Sequence, residues 1–572
     1  MIPRLATRGK LVLGTALLFL VAGALHGSPP LVALAGVILA VLLALYLMFY
    51  PTAILLRRKK IELSWWVPPG DQPGGALAVD RPFQLHLAFR NHGSRRLRIL
   101  STHILTATGL VIDERPSATV QRGQQVEVTT SVRPLAPGYR VLHGAALTFG
   151  EALGLFDIEA FFPNPIAVKI FPRTIALRGN AVRAIGGALH EQVGMHHVRR
   201  RGLSGELREI REHSHGDPFK FIAWKATARR QQLMVRDLEN EIVTTHVAIV
   251  DVGNGMRQGA LGRTPLDWAC DATAALARTA VSNGDRIGLV AFDTRTVVEL
   301  QPDSGHHHYL RLVDRLLDTT SAVDADLTDV TPGELVALVA RYLAHQEAID
   351  VRVKVAPPLD DARWTQIQAG PDGQLYDVAA TARLCKRLID AMLPGLGDKP
   401  VDRDAKVAKD ARVDPRLKLP AVVDDDVQLR PLRLFCRMRG IELPYRATWE
   451  HGKRAAGFAA AVERAVATNR PDVVVLISDL AGFAEDDPRT RRAISRLRRA
   501  AGSVIAVVPS PRSFLPAAAS AGARRIRGLL VADQHMAQRA GRTLLAKHGV
   551  QVVDGLPGAS LDQLLSRRRR AA

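Results

Sequence analysis

The chain has 572 residues and a formal net charge of +21, because 77 lysines and arginines outnumber 56 aspartates and glutamates. Apolar residues make up 47% of the sequence and charged residues 23%, which is globular usage and excludes a disordered or collagen-like chain. Cys270, Cys385 and Cys436 lie too far apart for a zinc ribbon or a disulfide framework, and suit a reducing compartment. The basic excess predicts an anionic partner: a nucleic acid, an acidic protein or a membrane surface.

Two apolar stretches open the chain. The first runs from Leu11 to Leu25, and the second, from Leu31 to Leu56, exceeds the ~20 residues that a helix needs to cross a bilayer. The break at His26–Pro30 is typical of a tight turn, so we predict an uncleaved transmembrane hairpin over residues 1–60. The alternative is a signal peptide that is cleaved after Ala22-Gly23-Ala24.

Basic residues flank both apolar stretches. Arg4, Arg8 and Lys10 precede the first stretch, and the run Arg57–Lys60 follows the second. Lysine and arginine next to a membrane span stay on the cytoplasmic side. Both ends of the hairpin, and everything after about residue 60, are therefore predicted to be cytoplasmic.

Residues 61–180 carry the pattern of short β-strands. Residues 83–89 alternate apolar and polar side chains with a period of two, and residues 126–128 continue the alternation after Gly123. Turn residues separate these strands, as in a small β-sandwich. The segment has neither an acid–base pair nor a metal-ligand cluster in its sequence, so we expect a module for spacing or binding.

Residues 181–244 form a connector that is strongly basic between positions 198 and 230. Binding of nucleic acid by such a segment requires aromatic residues interleaved with the cations. Here the cations are accompanied by several acids and few aromatic residues. We therefore predict a polar surface that packs on the next domain through Ile222 and Trp224, and no nucleic-acid partner.

From residue 245 the pattern changes to alternating strands and helices. Strands are predicted at 246–250, 287–292, 297–300, 473–477, 504–508 and 550–553, the third as the hairpin partner of the second. This alternation predicts an α/β fold with an open, doubly wound sheet over residues 245–572. Residues at about 347–440 interrupt the alternation and are interpreted as an insertion in this domain.

Aspartates follow two of the apolar strands. Asp251 comes at the end of the first strand, and Asp479 follows the strand at 473–477. In a doubly wound sheet these two strands are neighbours, and ligands bind at their carboxyl ends. Two carboxylates at that edge would suit a hard divalent cation. The equally weighted alternative is that each acid caps the helix or turn that follows it.

The connector and the first strand resemble a known family, the bacterial membrane-anchored proteins with a "domain of unknown function 58", which is von Willebrand factor A-like. The resemblance covers roughly residues 1–330 and 440–515. Its most specific part reads Gly205-Glu206, Ile210-Arg211-Glu212, Gly216-Asp217, Ile222, Trp224-Lys225 and Ala228-Arg229. From this part, Arg211, Glu212, Asp217, Trp224, Lys225 and Arg229 are the candidate interaction residues.

The resemblance carries expectations about fold, location and partners. It implies a von Willebrand A-like (Rossmann-like) domain at the bacterial inner membrane. It also implies cooperation with MoxR-type AAA+ ATPases in the assembly or activation of a client complex. The chain itself has no Walker A motif, no nucleophile elbow and no constellation of histidine with carboxylate, so any ATP hydrolysis would come from the partner.

The sequence departs from this family background at the metal-binding motif. Von Willebrand A domains that hold a metal use D-x-S-x-S after the first strand, a threonine on a second loop and an aspartate after a later strand. Here the first motif reads Asp251-x-Gly253-x-Gly255, so both serine hydroxyls are missing. Glycine offers no side-chain ligand to a metal.

The other two parts of that motif are retained only in part. Asp479 matches the later aspartate, and the threonine is either Thr328 or Thr448. We expect either no cofactor or Mg²⁺ at a degenerate site made of Asp251, Asp479 and Thr328, and we favour a docking surface that needs no metal.

The expected function is that of a non-enzymatic interaction module anchored in the membrane. Its expected partners are a MoxR-type ATPase and anionic lipid, since each basic residue close to such a surface gains roughly 1 kcal/mol. The alternative is a metal-dependent hydrolase that uses Asp251 and Asp479.

Overall fold

The structure is a computed structural model that describes residues 2–57, 60–68, 77–173, 207–215, 217–238, 243–347, 349–355, 367–369, 375–392, 422–424, 426–447, 452–467, 470–483 and 487–557. It is a mixed α/β protein with an N-terminal helical hairpin and several sheets. The chain forms two compact units. Unit 1 comprises Met1–Arg173, Ala260–Asp267 and Leu317–Trp449, and unit 2 comprises Thr174–Gly259, Trp268–Leu316 and Glu450–Ala572.

The helices and strands follow in chain order. Residues 2–173 form β1 (Arg4–Leu5), α1 (Thr7–Leu25), α2 (Pro29–Arg57), β2 (Ile61–Trp66), β3 (Leu77–Ala78), β4 (Phe83–Asn91), β5 (Leu97–Thr106), β6 (Leu110–Ile112), β7 (Ala118–Val120), β8 (Gln125–Pro134), β9 (Gly138–Gly150) and β10 (Phe156–Phe171). Residues 207–346 form β11 (Leu207–Glu212), α3 (Trp224–Arg230), β12 (Met234–Leu238), β13 (Thr245–Asp251), α4 (Pro265–Ser282), β14 (Arg286–Phe292), β15 (Thr296–Asp303), α5 (His306–Asp318) and α6 (Pro332–Gln346). The remainder forms β16 (Ile367–Ala369), β17 (Leu375–Asp377), α7 (Val378–Met392), α8 (Leu429–Arg439), α9 (Lys453–Ala467), β18 (Val473–Ile477), α10 (Pro488–Ala500), β19 (Ser503–Pro509), α11 (Pro511–Phe514), α12 (Ala521–Lys547) and β20 (Gln551–Gly555).

Helices α1 and α2 form the predicted apolar hairpin. Each is long and apolar enough to cross a membrane, and most of their side chains are exposed rather than buried in a core. Gly27 lets the chain turn between the helices, because its φ of 60° lies in the left-handed region that glycine adopts without strain. At the other end, β1 leads into α1 and pairs with β10, while α2 runs on towards β2. Both ends of the hairpin therefore lie at the β-strands of unit 1.

Two sheets follow the hairpin and enclose one hydrophobic core. One sheet has the strand order β1-β10-β9-β5-β7, with β3 beside β10, and the other has the order β2-β4-β8-β6. Alternating apolar residues of β2 and β4 point into the core, as the period-two pattern predicts. Phe49, Ala53 and Leu56 of α2 belong to the same core. The last part of α2 is thus a structural element of this β module.

The described part of residues 317–449 packs with the β module. Helices α6, α7 and α8 share a core, and α8 contacts β9 and β10. The Nδ1 atom of His143 on β9 lies 2.9 Å from the hydroxyl of Tyr342 on α6, and Arg140 pairs with Glu442. The segment at about 347–440, predicted as an insertion in the α/β domain, lies between two stretches of unit 2 in the sequence. Its described residues group with unit 1.

Unit 2 is built on a six-stranded sheet in the order β15-β14-β13-β18-β19-β20. Strand β15 runs antiparallel to β14, and the other neighbours are parallel. Strands β13 and β18 pair directly, so the prediction that these two strands are neighbours is confirmed. The chain builds the sheet outward from β13 to β15 and later adds β18, β19 and β20 on the other side of β13. The carboxyl ends of β13 and β18 mark the point where this direction changes.

Candidate functional site

Three aspartates meet at the carboxyl ends of adjacent strands in unit 2. Asp251 is the last residue of β13, Asp293 directly follows β14, and Asp479 lies two residues beyond β18. The structure thus brings together the two predicted acids, Asp251 and Asp479. Asp293 was not predicted as a site residue, although it follows an apolar strand in the same way as the other two.

The cation among these acids is Arg454, the second residue of α9. Its Nη2 lies 2.6 Å from Asp251 Oδ2 and 3.2 Å from Asp479 Oδ1, and its Nε lies 3.7 Å from Asp293 Oδ1. The side chains of Asp251 and Asp293 are fully buried, and those of Asp479 and Arg454 are only 10% and 13% exposed. We call these four residues the acid–arginine cluster.

Short hydrogen bonds from neighbouring groups complete the environment of the carboxylates. The Ser478 hydroxyl donates to Asp251 Oδ2 at 2.6 Å, and the backbone N–H of Gly253 donates to Asp251 Oδ1 at 2.9 Å. The N–H of Ala481 donates to Asp479 Oδ1 at 3.0 Å. The orientation of both predicted acids is therefore fixed by the loops that follow β13 and β18.

The two glycines after Asp251 make room for this cluster. A Cβ atom on Gly255 would lie 1.7 Å from Asp479 Oδ2, and one on Gly253 would lie 3.0 Å from Arg454 Nη2. A serine at position 255 would therefore displace the Asp479 carboxylate. Gly253 and Gly255 stand where serines were expected. By having no side chain, they leave room for the Arg454 guanidinium and the Asp479 carboxylate.

Burial and charge shift the pKa values in the cluster. Burial alone lowers the pKa of Arg454, but the carboxylates of Asp251, Asp479 and Asp293 outweigh it, so the pKa is raised and Arg454 stays charged. Burial raises the pKa of Asp251 to about 7, against the opposing effects of Arg454 and the Ser478 hydrogen bond, and the nearby Asp479 carboxylate adds to the rise.

The described residues of the cluster do not fit a divalent cation. Mg²⁺ requires near-octahedral oxygen ligands, whereas a guanidinium presents only donors. Gly253 and Gly255 supply no side-chain oxygen, and the Arg454 guanidinium already pairs with the carboxylates that would bind the ion. In this arrangement Arg454 supplies the positive charge at the strand ends.

The threonine proposed as a third ligand has other partners. Thr328 belongs to unit 1, is buried, and donates its hydroxyl to the Asp324 carbonyl at 2.8 Å. The same hydroxyl accepts a 2.8 Å bond from Arg433 Nη1, and the Arg433 Nε in turn binds Asp424 Oδ2. Thr448, the alternative threonine, lies outside the described residues.

The predicted interaction residues divide into a structural pair and an exposed group. Arg211 on β11 forms two 2.8 Å hydrogen bonds with the buried carboxylate of Asp217, which also accepts from the backbone N–H of Ser214. This pair closes the loop after β11. Gly205, Glu206 and Gly216 of the family pattern lie outside the described residues.

The exposed group lies largely on the short segment from residue 219 to 230. Trp224 is 66% exposed and Phe219 is 75% exposed. Lys225 and Arg229, like Glu212 on β11, are also exposed. The prediction that Ile222 and Trp224 both pack inward is right for Ile222, which is buried, and wrong for Trp224. Helix α3 has only seven residues, none of them is buried, and Trp224 is the first of them.

These features define a class of protein before any comparison is made. It is a mixed α/β protein with apolar N-terminal helices and a buried acid–arginine cluster at the ends of parallel strands. The family model described as "Protein of unknown function DUF58" matches residues 209–340 of the chain. The matched segment includes residues 209–212 of β11, the exposed 219–230 segment, Asp251 and Asp293.

The chain has low similarity to the known proteins and solved structures described next. No curated protein matches the chain. A FixG-related protein from Vibrio parahaemolyticus is 10% identical over 20% of this chain and 97% of its own, with a TM-score of 0.14. The part of Escherichia coli alpha-2-macroglobulin from domain MG7 to the C-terminus is 11% identical over 85% of this chain and 65% of its own, with a TM-score of 0.16. Such scores support no argument about fold or function.

Replacing Arg454 by methionine should destabilise the protein strongly. The change removes the counter-charge of three carboxylates, and breaking a buried pair from one side costs about 3–5 kcal/mol. The matched control is Arg464→Met on the same helix, whose pair with Glu299 is more exposed and should contribute at most about 1 kcal/mol. Thermal unfolding of the detergent-solubilised chain compares the two. Equal melting temperatures would show that Arg454 is not the required counter-charge.

The pH dependence of stability should reveal the raised pKa of Asp251. Its pKa in the fold is about 7, above the ordinary value of 3.8, so its contribution to stability is complete below 3.8 and is lost as the pH rises through 7. Between pH 5 and 7, the stability of the wild type relative to Asp251→Asn should fall by up to about 1.4 kcal/mol per pH unit. A difference that stays flat or rises over this range would show that Arg454 holds Asp251 ionised throughout.

Proposed function

We propose that the chain is a membrane-anchored, non-enzymatic interaction module that works with a MoxR-type AAA+ ATPase to assemble or activate a client complex. In this proposal the unit 2 sheet is a doubly wound, von Willebrand A-like domain. The hairpin of α1 and α2 crosses the inner membrane, and the rest of the chain lies in the cytoplasm.

The strand order of unit 2 supports the proposed fold. A doubly wound sheet places its ligand-binding edge where the strand order reverses. In this chain that position is the edge between β13 and β18, where Asp251 and Asp479 lie. The antiparallel strand β15 at one end of a parallel sheet is also common in large doubly wound folds.

The arrangement of the hairpin supports the proposed topology. Strand β1 precedes α1 and pairs with β10, and α2 leads into β2, so both ends of the hairpin join the same β module. Two membrane helices joined in this way must enter and leave on one side. Arg4, Arg8 and Lys10 at that end favour the cytoplasmic side.

The single observation that carries the interaction role is the exposure of Phe219 and Trp224 in the family-matched segment. Large aromatic side chains with arginines nearby are enriched in protein interfaces and dominate their energetics. Phe219 and Trp224 are more than half exposed and are accompanied by Lys220, Lys225 and Arg229. We therefore propose the 219–230 segment as the main contact with the ATPase.

The acid–arginine cluster supports a docking role over hydrolysis. A metal-dependent hydrolase that used Asp251 and Asp479 would need an ion with an open position for water. Arg454 pairs with both carboxylates, and Asp251 is fully buried. The small exposed part of Asp479 offers a partner less surface than the 219–230 segment.

Binding to a MoxR-type AAA+ ATPase from the same organism tests the proposal. The double variant Phe219→Ala/Trp224→Ala should weaken that binding at least tenfold, because a truncated aromatic hot spot costs about 2 kcal/mol or more. The control is Trp66→Ala, which removes a partly exposed tryptophan of the β module. Binding would be measured with purified proteins in detergent, and melting temperatures would check the fold. Unchanged binding by the double variant would remove the 219–230 segment from the proposal.

A further inference from the structure

A pocket of about 250 Å³ lies in unit 1 where α2 meets the β module. One wall is formed by α2, which presents Leu45, Met48, Phe49 and Thr52. These residues follow the i, i+3, i+4, i+7 spacing of a single helix face. Three of the four are apolar, so this wall suits a hydrocarbon chain.

The opposite wall is cationic. It contains Arg95, Arg96 and Arg98, which come from the turn before β5 and from β5 itself. Arg95 donates to the Met48 carbonyl at 3.0 Å, and Arg98 donates to the Ala152 carbonyl at 3.3 Å. In the part of the chain that the structure describes, none of the three arginines pairs with a carboxylate. All three are exposed, so their charge is available to an anion.

Glu151 is the acid in the pocket wall, and its carboxylate is already used. Its two oxygens accept hydrogen bonds from the backbone N–H groups of Leu153 and Leu155. It therefore holds the turn between β9 and β10 and leaves the three arginines uncompensated.

If the hairpin crosses a bilayer as proposed, the pocket on α2 lies at the level of the membrane surface. Helix α1 has 19 residues, which at 1.5 Å per residue is about 28 Å, close to the thickness of the hydrocarbon core. An equal length of α2, counted from Pro29, ends at Leu47. Leu45 and Met48 therefore lie where the hydrocarbon ends and the headgroups begin.

Aromatic residues mark the same level. Tyr46 and Tyr50 are adjacent on α2, with ring centroids 6.1 Å apart, and Tyr46 packs edge-on against Phe156 of β10. Tyrosine is enriched at the boundary between hydrocarbon and water because its ring is apolar and its hydroxyl is polar. This observation is independent of the helix length and gives the same boundary.

We propose that this pocket binds the phosphate headgroup of an anionic phospholipid. The phosphodiester would lie against Arg95, Arg96 and Arg98, since guanidinium groups bind phosphate oxygens through paired N–H donors. The upper part of an acyl chain would lie along Leu45 and Met48. The inference assumes that the hairpin crosses a bilayer, and it does not depend on the ATPase partner.

The test compares lipid binding by the full chain and its variants in mild detergent. Native mass spectrometry and thermal shift are measured with phosphatidylglycerol, with phosphatidylcholine and with inorganic phosphate. We expect the wild type to retain phosphatidylglycerol in preference to phosphatidylcholine, and to gain little stability from inorganic phosphate. Equal retention of the two lipids, or equal stabilisation by inorganic phosphate, would overturn the proposal.

Substitution of the cationic wall locates the binding. Arg95→Gln/Arg96→Gln/Arg98→Gln should weaken retention of phosphatidylglycerol about tenfold or more. The control removes the same charge from three exposed arginines that do not line the pocket, as Arg115→Gln/Arg122→Gln/Arg133→Gln. Its retention should stay within twofold of the wild type. An equal loss in both triple variants would mean general attraction to the basic chain and would overturn the pocket.

A third variant blocks the pocket without changing its charge. Ala152 lines the pocket and is exposed, so Ala152→Trp should fill the space and also reduce retention of phosphatidylglycerol. This variant decides the question if the arginine triple variant does not fold, and retention equal to the wild type would overturn the proposal.

Extraction of the wild type from membranes at high pH separately tests whether the hairpin is embedded. Binding of the ATPase to the arginine triple variant should be unchanged.

Discussion

The structure of unit 2 depends on the neutralisation of three carboxylates at one edge of its sheet. Removing carboxylates from water costs several kcal/mol each unless a partner of opposite charge lies beside them. Arg454 is that partner, and its planar guanidinium can face several acids at once because its five N–H donors point in fixed directions. Glycine at positions 253 and 255 suits the same constraint, since a Cβ at 255 would overlap the Asp479 carboxylate and one at 253 would lie in tight contact with the guanidinium.

The cluster also explains how the chain can leave unit 2 and return to it. After Leu316 the chain passes into unit 1, and it re-enters unit 2 at Glu450. Helix α9 is the first helix after the return. It brings Arg454 to the ends of β13 and β14, which precede it by about two hundred residues in the sequence. Phe458 of α9 packs between Phe292, the last residue of β14, and Phe483 after β18, with ring centroids 5.6 and 4.7 Å away. Ion pairs and aromatic contacts together fix the returning helix on the sheet.

Periodicity predicted the parts of the fold whose signals are local. The buried strands, the pairing of β13 with β18 and the meeting of Asp251 with Asp479 all follow from apolar runs that end in an acid. Asp293 carries the same signal, but the strand after it is a hairpin partner, and the sequence alone does not distinguish a site acid from an acid in a hairpin turn. Arg454 could not be predicted, because an arginine in the first turn of a helix is ordinary and its partners are remote in sequence. Trp224 was misplaced because a seven-residue helix is too short to show which face is buried.

Helix α2 is both half of the apolar hairpin and an element of the β-module core. With 29 residues it is about 10 residues longer than α1, and the extra turns carry Phe49, Ala53 and Leu56 into the core of the β module. Burial of a large apolar side chain contributes about 1.5–3 kcal/mol, so the module needs this helix for its own stability. An anchor that is also a core element cannot rotate or slide freely beneath its domain. If the hairpin crosses the bilayer as proposed, the β module must sit at a fixed depth, and its arginines at positions 95, 96 and 98 must face the headgroups.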